Sequence, residues 1–165
     1  MTDYALECGQ ATWVRPFENP DLLKNPHQRE AYDYWTKCGR AGDLPVPEKI
    51  DPLAFTTGVL PFLVVEERDE RTGRYRTRLA GTAYRDAVGY EGTNLYTDET
   101  EGTEDAVERL RWMAEHRQPY WYRGLCTFSY RPWTPFSVLS LPFAHLGRPV
   151  SRALCVFDFA PEADG

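Results

Sequence analysis

The sequence has few cysteines, and none of them stands in a paired motif. The four cysteines, Cys8, Cys38, Cys126 and Cys155, lie far apart, with no Cys-X-X-Cys pair and no histidine at metal-ligand spacing. The first ten residues also lack the basic and apolar segments of a secretory signal peptide. We therefore expect neither a disulfide framework nor a metal site. We predict a cytoplasmic protein whose reduced thiols pack as small hydrophobic side chains.

Long apolar runs and an excess of positive charge are missing as well. No stretch approaches the roughly 20 apolar residues of a membrane-spanning helix, so membrane insertion is not expected. The 19 lysines and arginines are outnumbered by 25 aspartates and glutamates, which gives a net charge of −6. A general nucleic-acid-binding protein needs a basic surface, and we expect no nucleic-acid partner. The arginines clustered over residues 68–78 fit one exposed face of a hairpin.

What is present is the composition of one folded domain. Hydrophobic residues make up 42% of the 165 residues, aromatic residues 14% and charged residues 27%. This content supports a core and is too apolar for a disordered chain. We predict an N-terminal extension over residues 1–26, a single domain over residues 27–160 and a loose tail over residues 161–165.

Two helices have clear start signals. Asn25 followed by Pro26 is typical of a helix N-terminus, and Gln28 is placed to reach back to the cap. Thr103 precedes an acidic first turn and an apolar stripe, which together predict a longer helix that ends near residue 116.

Five strands are predicted from runs rich in β-branched and aromatic residues, over residues 60–65, 75–80, 120–130, 136–144 and 150–159. The first two form a hairpin across a charged turn that begins at Glu66, and the last three follow one another without a helix. Two strands, a group of helices and three strands define an α+β domain. We predict a five-stranded antiparallel sheet with helices over one face, a cavity beneath them and an N-terminal helical extension.

Several short motifs, taken in order, resemble a known family. The motifs are Tyr34-Trp35, Leu44-Pro45, Ile50-Asp51-Pro52, Leu60-Pro61, Tyr75-Arg-Thr-Arg78-Leu-Ala-Gly81-Thr82, Gly89-Tyr-Glu-Gly92 and Leu141-Pro142. They resemble the short, stand-alone proteobacterial proteins of the PAS-domain family, over about residues 29–158. The resemblance implies the PAS fold, with sheet order 2-1-5-4-3. It also implies a domain that senses small molecules, light or redox state, or that mediates protein contacts.

A glycine-containing segment after the second predicted strand raises the alternative of a phosphate-binding loop. Its glycines, Gly81, Gly89 and Gly92, do not fit the Gly-X-Gly-X-X-Gly spacing of a dinucleotide site, and no lysine follows as in a P-loop. We predict instead a short helix over residues 83–88. Thr82 caps this helix, and Gly89 closes it in the left-handed conformation.

Catalysis and cofactor chemistry have little support in the sequence. None of the three histidines lies in a nucleophile motif, and the acidic residues at 66–70 and 98–105 are typical of solvated faces. We predict no enzymatic activity. Among PAS relatives, the flavin type that forms a cysteine adduct is disfavoured, because residues 86–100 contain no cysteine. A surface position at a helix end fits His116 better than the role of a haem ligand does. The identity of a cofactor is left open.

Seven residues are predicted to line a ligand-binding cavity under the helices: Tyr75, Arg78, Tyr84, Trp112, Cys126, Phe128 and Ser140. Aromatic and small polar side chains are typical of such cavities, and Arg78 offers the fork of donors that suits a carboxylate or phosphate. Each has another interpretation. Phe128 and Trp112 fit a core, Tyr75 fits a cross-strand pair, and Arg78 fits an outer face.

The first functional hypothesis is a non-catalytic sensor or adaptor that binds a small molecule and signals through a protein partner. The segment with Trp13 and Phe17 and the helix with Tyr34 and Trp35 lie outside the predicted strands. They fit a homodimer contact or a flap that closes the domain. One alternative is a protein-interaction module whose core is filled by its own aromatic residues. Another is a small enzyme, which needs a buried acid and base.

Overall fold

A computed structural model describes residues 2–5, 11–129 and 134–159, and the predicted tail lies outside them. The described chain forms three α-helices, α1 (Pro26–Lys37), α2 (Thr82–Val88) and α3 (Glu104–His116). It also forms seven β-strands, β1 (Thr2–Ala5), β2 (Thr12–Arg15), β3 (Leu63–Arg68), β4 (Tyr75–Ala80), β5 (Tyr120–Cys126), β6 (Thr134–Phe143) and β7 (Arg152–Asp158). The α+β class predicted from the sequence is confirmed.

The described strands form one antiparallel sheet, in the order β1-β2-β5-β6-β7-β3-β4. The five strands expected from the sequence run from β5 to β4, and β1 and β2 extend the sheet beyond β5. All five predicted strands are present, and the two further strands lie within residues 1–26, the predicted N-terminal extension. Each added strand has only four residues, too few for an alternating pattern to be recognised, and β2 is held by pairing with β5.

The two faces of the sheet carry different helices. Successive residues of a strand point to opposite faces, so Ser137 and Val138 of β6 mark the two sides. Gln28 of α1 donates to Ser137 Oγ at 3.1 Å, whereas Val138 lines a cavity beneath α3. Helix α1 therefore packs on one face, which we call the α1 face. Helices α2 and α3 cover the other, which we call the cavity face.

The helix starts follow the sequence only in part. Asn25 caps α1 as predicted, because its Oδ1 accepts from the backbone amides of His27 and Gln28 at 2.9 and 3.0 Å. The Gln28 side chain does not reach back to the cap and is buried against the sheet instead. Thr103 does not cap α3, since its hydroxyl donates to the carbonyl oxygen of Thr100 at 2.7 Å.

The bounds of strands β3 and β5 differ from the prediction. A 3₁₀ turn at Leu60–Phe62 precedes β3, and β3 continues to Arg68, so Glu66 lies in a strand and not in a charged turn. Strand β5 ends at Cys126, earlier than the predicted residue 130. The predicted turn between the third and fourth strands falls partly on residues 130–133, which lie outside the described chain.

The glycine segment forms α2 and its caps. Gly81 occupies the N-cap position, where an added Cβ would lie 2.3 Å from the carbonyl oxygen of Pro61, so the chain passes here only without a side chain. Gly89 closes the helix with φ of 84°, as predicted. Thr82 is the first helical residue and not the cap, because the helix begins one residue earlier than expected.

Candidate ligand-binding site

A cavity that is partly open to the surface lies between the cavity face of the sheet and helix α3, and we call it the interior cavity. Its volume is about 50 Å³. Apolar residues from the sheet and helix, including Leu110, Val138 and Phe157, share its wall with an unusual number of polar groups. The polar lining residues are Glu66, Tyr84, Thr97, Thr103, Arg109, Tyr120 and Cys155.

The strand register places two of these polar side chains, Tyr120 and Cys155, on either side of a third polar residue, Ser140. Tyr120 on β5 stands opposite Ser140 on β6, and Ser140 stands opposite Cys155 on β7. Because side chains on directly opposed residues share a face, the three form one polar row across the middle of the sheet. The Ser140 hydroxyl donates to Cys155 Sγ at 3.3 Å, which links two members of this row.

Glu66 supplies a buried carboxyl group. Its side chain is 7% exposed and accepts hydrogen bonds from the hydroxyls of Thr77 and Thr97, each at 3.0 Å. No described residue forms an ion pair with it. Burial raises the pKa of Glu66 to about 7, against a partial lowering by the two hydroxyl donors. Near neutral pH this group therefore exists in both its protonated and its ionised form.

Arg109 supplies a buried cation on the opposite wall, which is formed by α3. Its side chain is 4% exposed, and its guanidinium lies 3.9 Å from the ring centroid of Tyr122. The Nε–H group is buried and has no hydrogen-bond acceptor in the described chain. No ion pair joins Arg109 to Glu66, so the two charges face the cavity separately.

The remaining polar groups of the cavity are neutral at physiological pH. Burial, followed by the nearby Glu66, raises the pKa of Tyr84 well above its usual value and that of Cys155 to about 12. Burial also raises the pKa of Tyr120 to about 12. A thiol with so high a pKa is a poor nucleophile, because the thiolate is the reactive form. The cavity is thus suited to hydrogen bonding.

Four of the seven predicted residues lie at or beside the cavity. Tyr84 and Phe128 line it directly. Ser140 is fully buried and belongs to the polar row, and Cys126 is buried, with a pKa raised by that burial. Ligand contact by these residues stays a prediction.

The other three predicted residues lie elsewhere. The hydroxyl of Tyr75 donates to the carbonyl oxygen of Val150 at 2.7 Å, and its ring lines a separate groove between the β3–β4 hairpin and α3. Arg78 is exposed and lies 3.7 Å from Glu67. Trp112 packs edge-on against Trp13, with ring centroids 6.3 Å apart. These residues do not meet the first four in one site.

His116 lies on the surface of α3. Its ring is exposed and stacks on Trp112 with centroids 4.6 Å apart, and its Nδ1 lies 2.9 Å from the Trp112 carbonyl oxygen. Within the described ranges, no group of three or more His, Cys, Asp or Glu side chains is arranged to hold a metal ion.

Two central residues of the cavity were missed from the sequence. Glu66 was interpreted as solvated because charged residues follow it, although it directly continues the apolar run Leu63–Val65. Arg109 was not selected, although it lies three residues after Ala106 and four before Met113, on the apolar stripe of α3. A charged residue at an apolar position was the available signal in both cases.

The sheet, the helices over its cavity face and the polar cavity between them define a class of α+β domain with a polar cavity under its helices. A profile of the PAS domain family matches residues 23–124, which is more than half of the chain. The chain therefore belongs to the PAS domain family, and PAS domains act as sensory or interaction modules. No curated protein and no solved structure matches the chain significantly. In the described ranges, none of the helices has the length and apolar character needed to span a bilayer.

Proposed function

We propose that this chain is a non-catalytic sensor domain that binds a small polar molecule in its interior cavity and signals through contact with a protein partner. The observation that carries the proposal is the presence of Glu66 on the sheet side and Arg109 on the helix side of one cavity, both buried and not paired with each other. Buried charges without an ion-pair partner are costly, so a ligand that bridges them gains binding free energy.

The chemistry of the wall defines what fits. Arg109 lines the cavity with a guanidinium that carries several N–H donors, and Glu66 offers a carboxyl that switches between donor and acceptor near neutral pH. A cavity of about 50 Å³ has room for one or two water molecules. A larger ligand therefore requires α2, whose Tyr84 forms part of the wall, to move away from the sheet.

A path from the cavity to the surface runs through the 3₁₀ turn Thr97–Glu99. Thr97 donates to buried Glu66, while the next residue, Asp98, accepts from Arg74 Nη2 at 2.6 Å on the β3–β4 hairpin. Arg74 in turn lies 3.9 Å from the ring centroid of Tyr96. A change in the protonation or ligand contact of Glu66 is thereby coupled to the exposed β3–β4 hairpin. We propose that the protein partner binds this hairpin.

The cellular setting proposed for this sensor is the cytoplasm. Cys38, Cys126 and Cys155 are free thiols, in keeping with a reducing compartment. Homodimer formation and the domain limits at residues 27 and 160 remain predictions. Helix α1 covers its own sheet face through buried Ala31 and Trp35, so a dimer contact has to use another surface.

Native mass spectrometry of the purified chain tests the proposal. We expect the wild-type protein to carry a ligand that is released on denaturation. Ala106→Leu, which fills the cavity, should remove that extra mass. Ala114→Leu, in the separate groove between the β3–β4 hairpin and α3, should keep it. Loss of the ligand in both variants, or in neither, would contradict binding in the interior cavity. The same spectra report the oligomeric state.

A second candidate function has one observation in its favour. The cavity is far below the roughly 300–1,000 Å³ of sites for drug-sized ligands, which fits an interaction module with a nearly filled core. A wild-type spectrum that shows only the mass of the bare chain would support this alternative over the sensor.

A further inference from the structure

A second recess lies outside the interior cavity, between strand β2 and helix α3. We call it the β2–α3 groove. Its volume is about 230 Å³, and it is lined by Trp13 and Arg15 of β2, Asp105, Glu108 and Arg109 of α3, and Tyr122 of β5, together with Ala11. Arg109 is the one residue that it shares with the lining of the interior cavity. Trp13 and Arg15 precede residue 23, where the match to the PAS family begins.

Two buried N–H donors of this groove lack acceptors. The Nε1–H of Trp13 and the Nε–H of Arg109 are both buried, and neither has a hydrogen-bond partner in the described chain. Buried polar groups are nearly always paired, and each unpaired donor costs about 1–3 kcal/mol. Two such donors in one recess indicate an occupant that brings hydrogen-bond acceptors.

The donors are held by aromatic packing. Trp13 packs edge-on against Trp112 and Tyr120, with ring centroids 6.3 and 6.2 Å apart, and the Arg15 guanidinium lies 3.7 Å from the centre of its ring. Arg109 lies over Tyr122. Because these contacts already order both side chains, an arriving ligand loses little affinity to ordering them. It reaches the two buried N–H groups by displacing the neighbouring groups that cover them.

The charges of the lining have both signs. Arg109 lies buried in the wall, whereas Asp105 and Glu108 are exposed on α3, four residues and one residue before it. A simple anion would be attracted by Arg15 and Arg109 and repelled by the two carboxylates. A molecule with a carboxylate at one end and an ammonium group at the other satisfies both regions.

We propose that the β2–α3 groove binds a small zwitterion of the amino-acid type. Its carboxylate accepts from Trp13 Nε1–H and Arg109 Nε–H, and its ammonium group faces Asp105 and Glu108. The groove is smaller than the roughly 300 Å³ at which sites for drug-sized ligands begin, which sets an upper limit on the ligand. This site is additional to the interior cavity, since six of its seven lining residues belong to it alone.

The test follows the indole N–H signal of Trp13 by ¹H–¹⁵N NMR, assigned with Trp13→Phe. The probes are alanine and 4-aminobutyrate as zwitterions of two lengths, butyrate as the matched anion and butylammonium as the matched cation. We expect a saturable shift of the Trp13 signal with at least one zwitterion, at least tenfold weaker binding of butyrate and no response to butylammonium. The absence of a saturable shift with both zwitterions, or equal binding of butyrate, would overturn the proposal.

The two exposed carboxylates of the groove, Asp105 and Glu108, provide the decisive variant. Asp105→Asn combined with Glu108→Gln changes only exposed side chains and should weaken zwitterion binding at least tenfold. Glu115→Gln, also exposed on α3 but outside the groove, should leave binding unchanged. Unchanged affinity in the double variant would overturn the assignment of the ammonium group. A protein that retains a ligand in the interior cavity, yet gives no Trp13 response, would overturn this inference alone.

Discussion

The two faces of the sheet differ in how completely their buried polar groups are hydrogen-bonded. On the α1 face, the side-chain amide of Gln28 donates to Ser137 Oγ and to the Val156 carbonyl oxygen, both at 3.1 Å, and its oxygen accepts from Trp121 Nε1 at 3.3 Å. The indole of Trp35 donates to the carbonyl oxygen of Pro142 at 2.8 Å. These polar groups are therefore matched within the protein.

On the cavity face, several polar groups are incompletely matched. Glu66 is buried without a cation, and the Nε–H of Arg109 and the Nε1–H of Trp13 have no acceptor in the described chain. A face that only stabilises the fold gains by matching its buried polar groups, as Gln28 and Trp35 do on the α1 face. The contrast is that the cavity face leaves buried polar groups unmatched, at a cost in stability that Gln28 and Trp35 avoid on the α1 face.

The largest expected effect is a difference in unfolding free energy between variants of two tryptophans, one from each face. Trp35 is 8% exposed on the α1 face, and Trp35→Ala removes a large buried ring and its hydrogen bond, so we expect a loss of about 3–5 kcal/mol in the free energy of unfolding. Trp112 is only half-buried on α3, and Trp112→Ala should cost about 1–2 kcal/mol. Urea unfolding followed by far-UV circular dichroism measures both. Equal losses of unfolding free energy in the two variants would contradict the expected difference between the two faces.

The next effect concerns the pH dependence of stability that Glu66 imposes. Its pKa is raised from the usual 4.5 to about 7 in the folded state, so folding favours the protonated form. The stabilisation is fully present below pH 4.5 and is lost as the pH rises to about 7. The difference between the two pKa values corresponds to a loss of about 3 kcal/mol.

Glu66→Gln isolates this contribution. Relative to the variant, the wild-type protein should become less stable by about 3 kcal/mol between pH 4.5 and pH 8 in urea unfolding experiments. Glu101→Gln, at an exposed carboxylate, serves as the control and should show no such pH-dependent difference. If both variants follow the wild-type pH profile in parallel, Glu66 is not a buried titrating group.

The features that were predicted correctly depend on neighbours in the sequence. Asn25 caps α1 and Gly89 closes α2 because capping involves residues one to four positions apart, and the type of residue is nearly sufficient. The α+β class likewise follows from the order of the elements. Local chemistry determines these features, so the sequence alone reveals them.

The candidate site depends on contacts between distant elements. Arg78 was assigned to the cavity, but strand alternation places it on the face opposite Thr77, and Thr77 is the residue that bonds Glu66. Arg109 becomes part of the wall only because β5 and α3 bring Tyr122 beneath it. Such pairings arise from packing, and one sequence does not specify them.

The smallest and most direct comparison uses two serines of β6. Ser137 is 2% exposed on the α1 face, and Ser140 is fully buried on the cavity face. Ser137→Ala leaves one N–H of the buried Gln28 amide without its acceptor, and we expect a cost of about 1–2 kcal/mol. Ser140 donates to the sulfur atom of Cys155, which is a weak acceptor, and it lies between Tyr120 and Cys155, which line the polar cavity.

We therefore expect Ser140→Ala to cost less than about 1 kcal/mol, because a water molecule can occupy the added space and bond the remaining polar groups. The substitution is the same in chemistry, strand and depth of burial, so a difference in unfolding free energy reports the matching of polar groups on each face. A larger loss for Ser140→Ala than for Ser137→Ala would mean that the polar row of Tyr120, Ser140 and Cys155 supports the fold. The cavity face would then have to be described as stabilising in its own right.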